Sequence, residues 1–304
     1  MNIKLKAILL LLIGTLFWGM TFVFIKDAVS LMSVASFLGY RFLLASIVLI
    51  LIFIKRLRKF DRNTFKFGAL LSVPLLFSFL AQTIGLQYTS ASMGGFITGL
   101  SVVFVPIILS VMQRRLPSLS VFIAVVLATL GLSFLTLGSS IAFNIGDVWV
   151  FLSAILFAIY IIMVGKYSKQ SDGVLLSITQ FFMVGVVCIV YAAIKGELYF
   201  PTQYKLWQAI LFTALFATAY MYTVQNYYQK YISEITTSII FSFEPLFAAI
   251  TAFFYLNEAL TEKTIIGGLL IFGGVLFAEI KIEFIHLTIK KSLGMVKEMI
   301  GFEN

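Results

Sequence analysis

The stretch "YISEITTSIIFSFEPLFAAITAFFYL" (Tyr231–Leu256) is apolar over the length that a helix needs to cross a bilayer, yet Glu244 and Pro245 sit near its middle. A hydrocarbon core of about 30 Å takes roughly 20 apolar residues of helix. An acid at the centre of such a helix costs roughly 2.5–3.5 kcal/mol on insertion scales. The outline of this stretch has already been written once, 143 residues earlier, from "YTSASMGGFITGLSVVFVP" (Tyr88–Pro106) onward. At that offset Tyr88 falls on Tyr231, Ser90 on Ser233, Gln82 on Gln225 and Gly131 on Gly274. At an offset of 140, "LFWGMTFVFIK" (Leu16–Lys26) overlays "LFAIYIIMVGK" (Leu156–Lys166), and at 139 Arg41-Phe42 overlays Gln180-Phe181. Each match is weak alone; their consistency makes the chain a repeat.

Working outward, ten apolar runs of spanning length follow one another, at about 7–26, 34–54, 65–86, 91–112, 118–137, 146–165, 173–193, 206–228, 235–256 and 264–281. Short connections rich in Gly, Pro, Asn and Ser separate them. Of the 304 residues, 61% are hydrophobic and only 12% are charged, with a mean hydropathy of +1.05. Soluble domains average about 25% charged residues. No single globular core hides that much apolar surface, so lipid is the solvent for most of the chain. The first run, behind "MNIKLK", resembles a signal peptide, but it carries Trp18 and continues to Lys26 without a small-residue cleavage site.

Lysine and arginine give the direction. With the N-terminus inside, 17 of the 22 basic residues fall on the cytoplasmic segments and four (Lys26, Lys195, Lys205 and Lys263) on the outer ones, leaving Arg41 within the second span. Positive residues favour the cytoplasmic side. The expected fold is therefore an all-α integral membrane protein of ten transmembrane helices with both termini cytoplasmic. Five helices per repeat is an odd number, so the halves, residues 1–140 and 141–281, enter the membrane from opposite sides. Inverted repeats of this kind are a recurring plan of secondary transporters, whose halves rock about a site at the midplane. Residues 282–304 are too polar to span; Ile282, Ile285, Ile289, Leu293, Val296 and Ile300 recur at helical spacing between lysines, which reads as an amphipathic cytoplasmic tail lying on membrane lipid, the alternative being a frayed, solvated tail.

These features together resemble the drug/metabolite transporter superfamily, in its EamA type with two five-helix units. The resemblance rests on "LFWGMTFVFIK", on "YRF" in the second span, on "YTSASMGGFITGLSVVFVP", and on "QNYYQKYISEITTSIIFSFEPLFAAITAFFYLNEALT" (Gln225–Thr261) followed by a glycine-rich last helix. It implies a secondary transporter that exports or exchanges amino acids and other small metabolites across the bacterial inner membrane. The first half departs from the pattern: Arg115 stands where a glutamate often follows the fourth helix, and Pro106 lies four residues later than Pro245 when the repeats are aligned.

Polar groups in lipid must find partners, so they mark the bundle interior or a water-filled path. Glu244, near the midplane, is a candidate for proton coupling or for contact with a cationic substrate group; otherwise it ties the ninth helix to a neighbour. Arg41, about two turns into the second span, suits a carboxylate or phosphate, since guanidinium presents a fork of donors; otherwise it snorkels or pairs with a fixed acid. Gln82, Gln180 and Gln225 are candidate substrate contacts or interhelical glue worth about 0.6 kcal/mol each. Trp18 and Tyr222 are candidate aromatic lining. Pro245 cannot donate to the Phe241 carbonyl and is expected to kink its helix, as is Pro106. The glycines Gly95, Gly99, Gly267, Gly268, Gly273 and Gly274 read as packing positions.

Other classes fare worse. The net charge of +9 and pI near 9.5 lie in short clusters between apolar runs rather than along a face, so no nucleic-acid partner is expected. The single Cys188 and single His286 leave no basis for a disulfide, a metal site or a His-based triad, and no phosphate-cradling loop is present. The expectation is a non-enzyme without cofactor or metal, with a small-molecule substrate, and monomeric because the internal repeat supplies both halves. A passive channel or lipid scramblase is the alternative.

Overall fold

The computed structural model describes residues 2–89, 91–136, 144–256 and 262–279, and among them every regular element is helical. The helices are α1 (Ile3–Leu31), α2 (Val34–Ile52), α3 (Arg62–Tyr88), α4 (Ala91–Gly99), α5 (Ser101–Gln113), α6 (Leu119–Thr136), α7 (Ile145–Tyr167), α8 (Gly173–Ile194), α9 (Tyr204–Phe212), α10 (Met221–Tyr228), α11 (Glu234–Phe241), α12 (Glu244–Leu256) and α13 (Glu262–Glu279). Seven segments are long and apolar enough to cross a membrane: Ile3–Thr21, Val34–Ile52, Arg62–Tyr88, Met93–Gln113, Ile145–Tyr167, Gly173–Ile194 and Tyr204–Tyr231. The expected spans at 118–137 and 264–281 fall on the shorter apolar helices Leu119–Phe134 and Ile265–Phe277, and 235–256 falls on α11 with α12. The expected tail at 282–304 lies outside the described residues.

Local chemistry sets the helix starts. Side-chain oxygens of Asn2, Ser33, Asp61, Asp172 and Ser233 each accept a backbone N–H from the first turn that follows. Asn144 and Asp147 form a reciprocal capping box at the start of α7. Asp61 accepts from both the Thr64 hydroxyl (2.5 Å) and the Thr64 N–H (2.8 Å), which holds its carboxyl below the usual range. Gly196, at φ +68°, supplies the left-handed residue that turns the chain out of α8.

The surface is inverted relative to a soluble protein. Ile47, Leu51, Phe77, Val111, Phe182, Leu269 and Phe272 point outward, while Arg41, Gln180, Gln225, Asn226, Gln229 and Glu244 are buried. Lipid faces the first set, and the bundle interior shelters the second. The main packed pairs are α2 on α8, α6 on α13, α3 on α7, and α1 against α9, α10 and α12. Gly131 of α6 meets the Gly267 carbonyl, and Gly274 of α13 meets the Ala124 carbonyl, so each helix presents a glycine where the other's backbone comes closest.

Contacts tie the connections into two ends. At one, Arg56 pairs with Asp172 at 2.9 Å and lies over Tyr227, while Lys6 lies over the adjacent Tyr228. At the other, the Ser36 hydroxyl donates to the Glu197 carbonyl at 2.8 Å. These are the Asp172 end and the Glu197 end.

Three backbone irregularities shape the interior. Helix α4 stops at Gly99 and α5 starts at Ser101; α11 stops at Phe241 and α12 starts at Glu244. Ser101 and Glu244 are 143 residues apart, the offset at which the sequence overlays itself. Pro245 follows its break immediately, in a first turn where a missing N–H is harmless. Pro106 instead lies inside α5, beyond the break at Leu100, so the interruption there precedes the proline that was expected to cause it. The third irregularity is a π-helical segment, Thr213–Tyr220, between α9 and α10, where the Met221 N–H reaches back to the Phe216 carbonyl. Its counterpart at the 143-residue offset is the stretch of α3 that holds Pro74.

Candidate functional site

A cavity lies where the irregular segments meet, lined by Trp18, Thr21 and Ile25 of α1, Arg41 of α2, Ser78, Phe79 and Gln82 of α3, Thr98 of α4, Phe157 of α7, Tyr222 of α10 and Glu244 of α12. The space between these side chains, counted out into the open surroundings, is about 440 Å³. The residues from α1 to α3 lie in the half of their helices toward the Glu197 end and Thr98 lies at the inner end of α4, so the cavity runs from mid-bundle toward the Glu197 end.

Arg41 is 1% exposed. Its Nε donates to the Thr218 hydroxyl at 2.7 Å, a hydroxyl carried by the π-helical segment. Its guanidinium lies 4.6 Å from the centre of the Phe79 ring, a cation–π contact. Nη1 has no hydrogen-bond partner among the described residues. A buried cation with one arm fixed and another unused retains donor capacity for an anion.

Glu244 is 7% exposed, and its carboxylate makes no hydrogen bond to any described residue. It opens α12, where the positive end of the helix dipole favours negative charge. Gly19 lets α12 come this close: a Cβ there would lie 2.8 Å from the Glu244 carbonyl oxygen and 2.7 Å from the Ala248 nitrogen. Arg41 and Glu244 lie within electrostatic reach of one another, yet no hydrogen bond or ion pair joins them. A guanidinium and a carboxyl group thus face one cavity without direct contact.

Aromatic rings form the cavity's floor. Trp18 packs on Phe241 (4.9 Å between centroids), Tyr222 (5.3 Å) and Phe157 (5.6 Å), and Tyr222 reaches on to Tyr160 at 5.7 Å. The Trp18 Nε1 donates to the Ala217 carbonyl at 2.8 Å, so the indole is oriented by the π-helical segment.

Of the residues singled out from sequence, the cavity brings together Trp18, Arg41, Gln82, Tyr222 and Glu244. Gln82 also donates to the Thr98 hydroxyl at 3.1 Å. Gln180 and Gln225 do not line it. The Tyr160 hydroxyl donates to Gln180 at 3.2 Å, and Gln225 donates to Gln229 at 2.9 Å. Thr21, Phe79 and Thr218 are additions. Thr21 and Phe79 lie three residues from Trp18 and Gln82 on the same helix faces, a spacing that could have marked them. Thr218 had no such mark, because its direction depends on the π-helical segment.

A polytopic α-helical membrane protein with a charged and aromatic interior cavity is the class that this fold and site define. Residues 5–137 and 144–279 each match the EamA-like transporter family, and the chain belongs to that family. It is 32% identical over 279 residues to a protein named "Uncharacterized transporter" from Archaeoglobus fulgidus, covering 92% of this chain and 87% of that one. It is 28% identical to "Uncharacterized transporter YyaM" of Bacillus subtilis, covering 89% of this chain and 93% of that one. A crystal structure with 12% sequence identity superposes at a TM-score of 0.72, covering 90% of this chain and 96% of that one, which speaks to the fold alone. The family and the relatives' names are those of membrane transporters rather than enzymes.

Proposed function

We propose that this protein is a secondary transporter that moves a small zwitterionic metabolite, an amino acid or a related compound, across a prokaryotic cytoplasmic membrane by alternating access. The observation that carries the reading is that a guanidinium, Arg41, and a carboxyl group, Glu244, face one aromatic cavity with no ion pair between them. A carboxylate docks on the free Nη1 of Arg41, an ammonium group faces Glu244, and the side chain of the solute lies against Trp18, Phe79, Phe157 and Tyr222. Glu244 is also the group placed to carry a coupled proton. Export is the direction we assign, from the resemblance to the family.

Ten spans in two inverted halves, 1–140 and 141–281, complete the reading, with the basic Asp172 end on the cytoplasmic side and one chain sufficient for activity. The packing supports this: exchanging the halves turns the α3–α7 contact into that of α9 and α10 with α1, and the α1–α12 contact into that of α7 with α4 and α5. The two matches to the family fall on the same halves. In this arrangement the cavity opens outward.

The test is a thermal-shift screen of the purified protein against amino acids, nucleosides and phosphorylated metabolites, since a ligand that binds only the folded state stabilises it by mass action. Zwitterions are expected to raise the melting temperature of the wild type but not of Arg41→Gln. Stabilisation by phosphorylated compounds alone would overturn the assignment of substrate class.

A further inference from the structure

Beyond the aromatic floor, toward the Asp172 end, lies a second group of polar side chains outside the lining of that cavity. Tyr160 of α7, Ser177 and Gln180 of α8, and Gln225 and Asn226 of α10 are all buried. The Asn226 Nδ2 donates to the Ser177 hydroxyl at 2.9 Å, and Tyr160 donates to Gln180. Gln225 donates to Gln229, which donates to the Ile161 carbonyl at 2.6 Å. These bonds leave Gln180 Nε2, Gln225 Oε1 and Asn226 Oδ1 without hydrogen-bond partners among the described residues. Leaving one buried polar atom unpaired costs about 1–3 kcal/mol. Apolar side chains would fill the same space at lower cost, so amides here make sense if the space is wet in another state.

We propose that this cluster is the collapsed lining of an inner binding vestibule, a second polar subsite for water and the zwitterionic solute that opens toward the Asp172 end when the outer cavity closes. The inference rests on the transporter reading above. Tyr222 and Tyr160, whose rings meet, are the partition between the two sites. The unpaired amide donor of Gln180 suits a carboxylate and the unpaired oxygens of Gln225 and Asn226 suit an ammonium group, so the vestibule offers the same two kinds of contact as the outer cavity without net charge. Such a site holds the solute more loosely than Arg41 does, which favours release. The entrance is closed here in two ways. Gly173, the first residue of α8, is pressed against the Asn226 carbonyl. Arg56, just after α2, pairs with Asp172, the residue that caps α8.

The experiment is cysteine accessibility in native membrane vesicles with Cys188→Ala as background. Ser177→Cys is treated with a small membrane-impermeant methanethiosulfonate reagent from each side, and the mass shift is followed in time. Ala158→Cys, in the packed core of α7, is the unreactive control, and Thr21→Cys reports the outer cavity. Ser177→Cys is expected to react from the Asp172 side only, at least tenfold faster than Ala158→Cys. Adding Asp172→Asn, which keeps a capping oxygen and removes the charge, is expected to raise that rate about two- to fivefold, the range set by an exposed ion pair. Hydroxyl-radical footprinting of the wild type gives the same information without any substitution: Tyr160 oxidises, while buried Phe42 does not. A Ser177→Cys rate equal to the control, together with an unoxidised Tyr160, overturns the inference. Thr21→Cys separates the two claims, because reaction there with none at Ser177→Cys leaves the outer cavity standing and removes only the vestibule.

Discussion

Replacing Gly19 by alanine adds a methyl group 2.7 Å from the Ala248 nitrogen, 2.8 Å from the Glu244 carbonyl oxygen and 2.9 Å from the Phe247 Cβ. Ordinary contacts lie beyond about 3.4 Å, and two of these three neighbours are backbone atoms that no rotamer change can move. Helices α1 and α12 must separate by several tenths of an ångström. Overpacking of this kind costs about 1–3 kcal/mol, a fall of roughly 2–5 °C in melting temperature for a chain of this size. The displaced atoms belong to the turn that carries Glu244, so ligand-induced stabilisation should weaken as well. Gly273→Ala is the matched control, because its methyl would meet only Leu127 Cδ1, at 3.8 Å. Alanine is the better helix former by about 1 kcal/mol, so that variant is expected to be neutral or slightly stabilised. Gly196→Ala isolates backbone conformation: nothing lies within 4 Å, but φ is +68° and alanine is strained there by about 1–2 kcal/mol. The assay is thermal unfolding in one detergent, read by tryptophan fluorescence. Equal melting temperatures for Gly19→Ala and Gly273→Ala would refute the close approach of α1 to α12.

Arg41→Lys keeps the charge but gives up the planar stack on Phe79 and the fixed bond to Thr218; a charge-assisted hydrogen bond is worth about 1.5–3 kcal/mol. Affinity for carboxylated ligands in a thermal-shift titration should fall by about 10- to 100-fold, and an equal loss for uncharged ligands would mark the arginine as structural. Trp18→Phe removes the donor to the Ala217 carbonyl, at a cost of about 0.5–1.5 kcal/mol; an unchanged melting temperature would contradict the bond. Glu244→Gln preserves shape and is expected to abolish exchange driven by a pH gradient in proteoliposomes, whereas an unchanged pH dependence would remove the carboxylate from coupling.

The helical, lipid-facing character of the chain was legible in the sequence because lipid punishes irregularity and charge: long apolar runs and a single midplane acid stand out in a chain that is 12% charged, and seven segments are long and apolar enough to cross a membrane. Which polar residue faces the cavity was not legible. A helix in lipid is apolar on its outer face as well as its packed face, so amphipathic periodicity does not separate Gln82, which lines the cavity, from Gln180 and Gln225, which do not. The first helix break was not legible for a related reason. Pro106 and Pro245 pointed to kinks, but the interruptions fall at matching positions, before Ser101 and before Glu244, and only the second has a proline beside it. The first break lies between Gly99 and Ser101, residues that carry little signal in a sequence read alone. The π-helical segment left no local mark either, yet it holds both Thr218 and the carbonyl that orients Trp18.

Alternating access around Arg41 and Glu244 is the central claim, and counterflow tests it most directly. Proteoliposomes loaded with the unlabelled zwitterion that best stabilises the protein are diluted into trace labelled ligand. A carrier accumulates label transiently above equilibrium, and Arg41→Gln abolishes that overshoot. A monotonic approach to equilibrium, unaffected by the internal ligand, would identify a passive pathway and contradict the account.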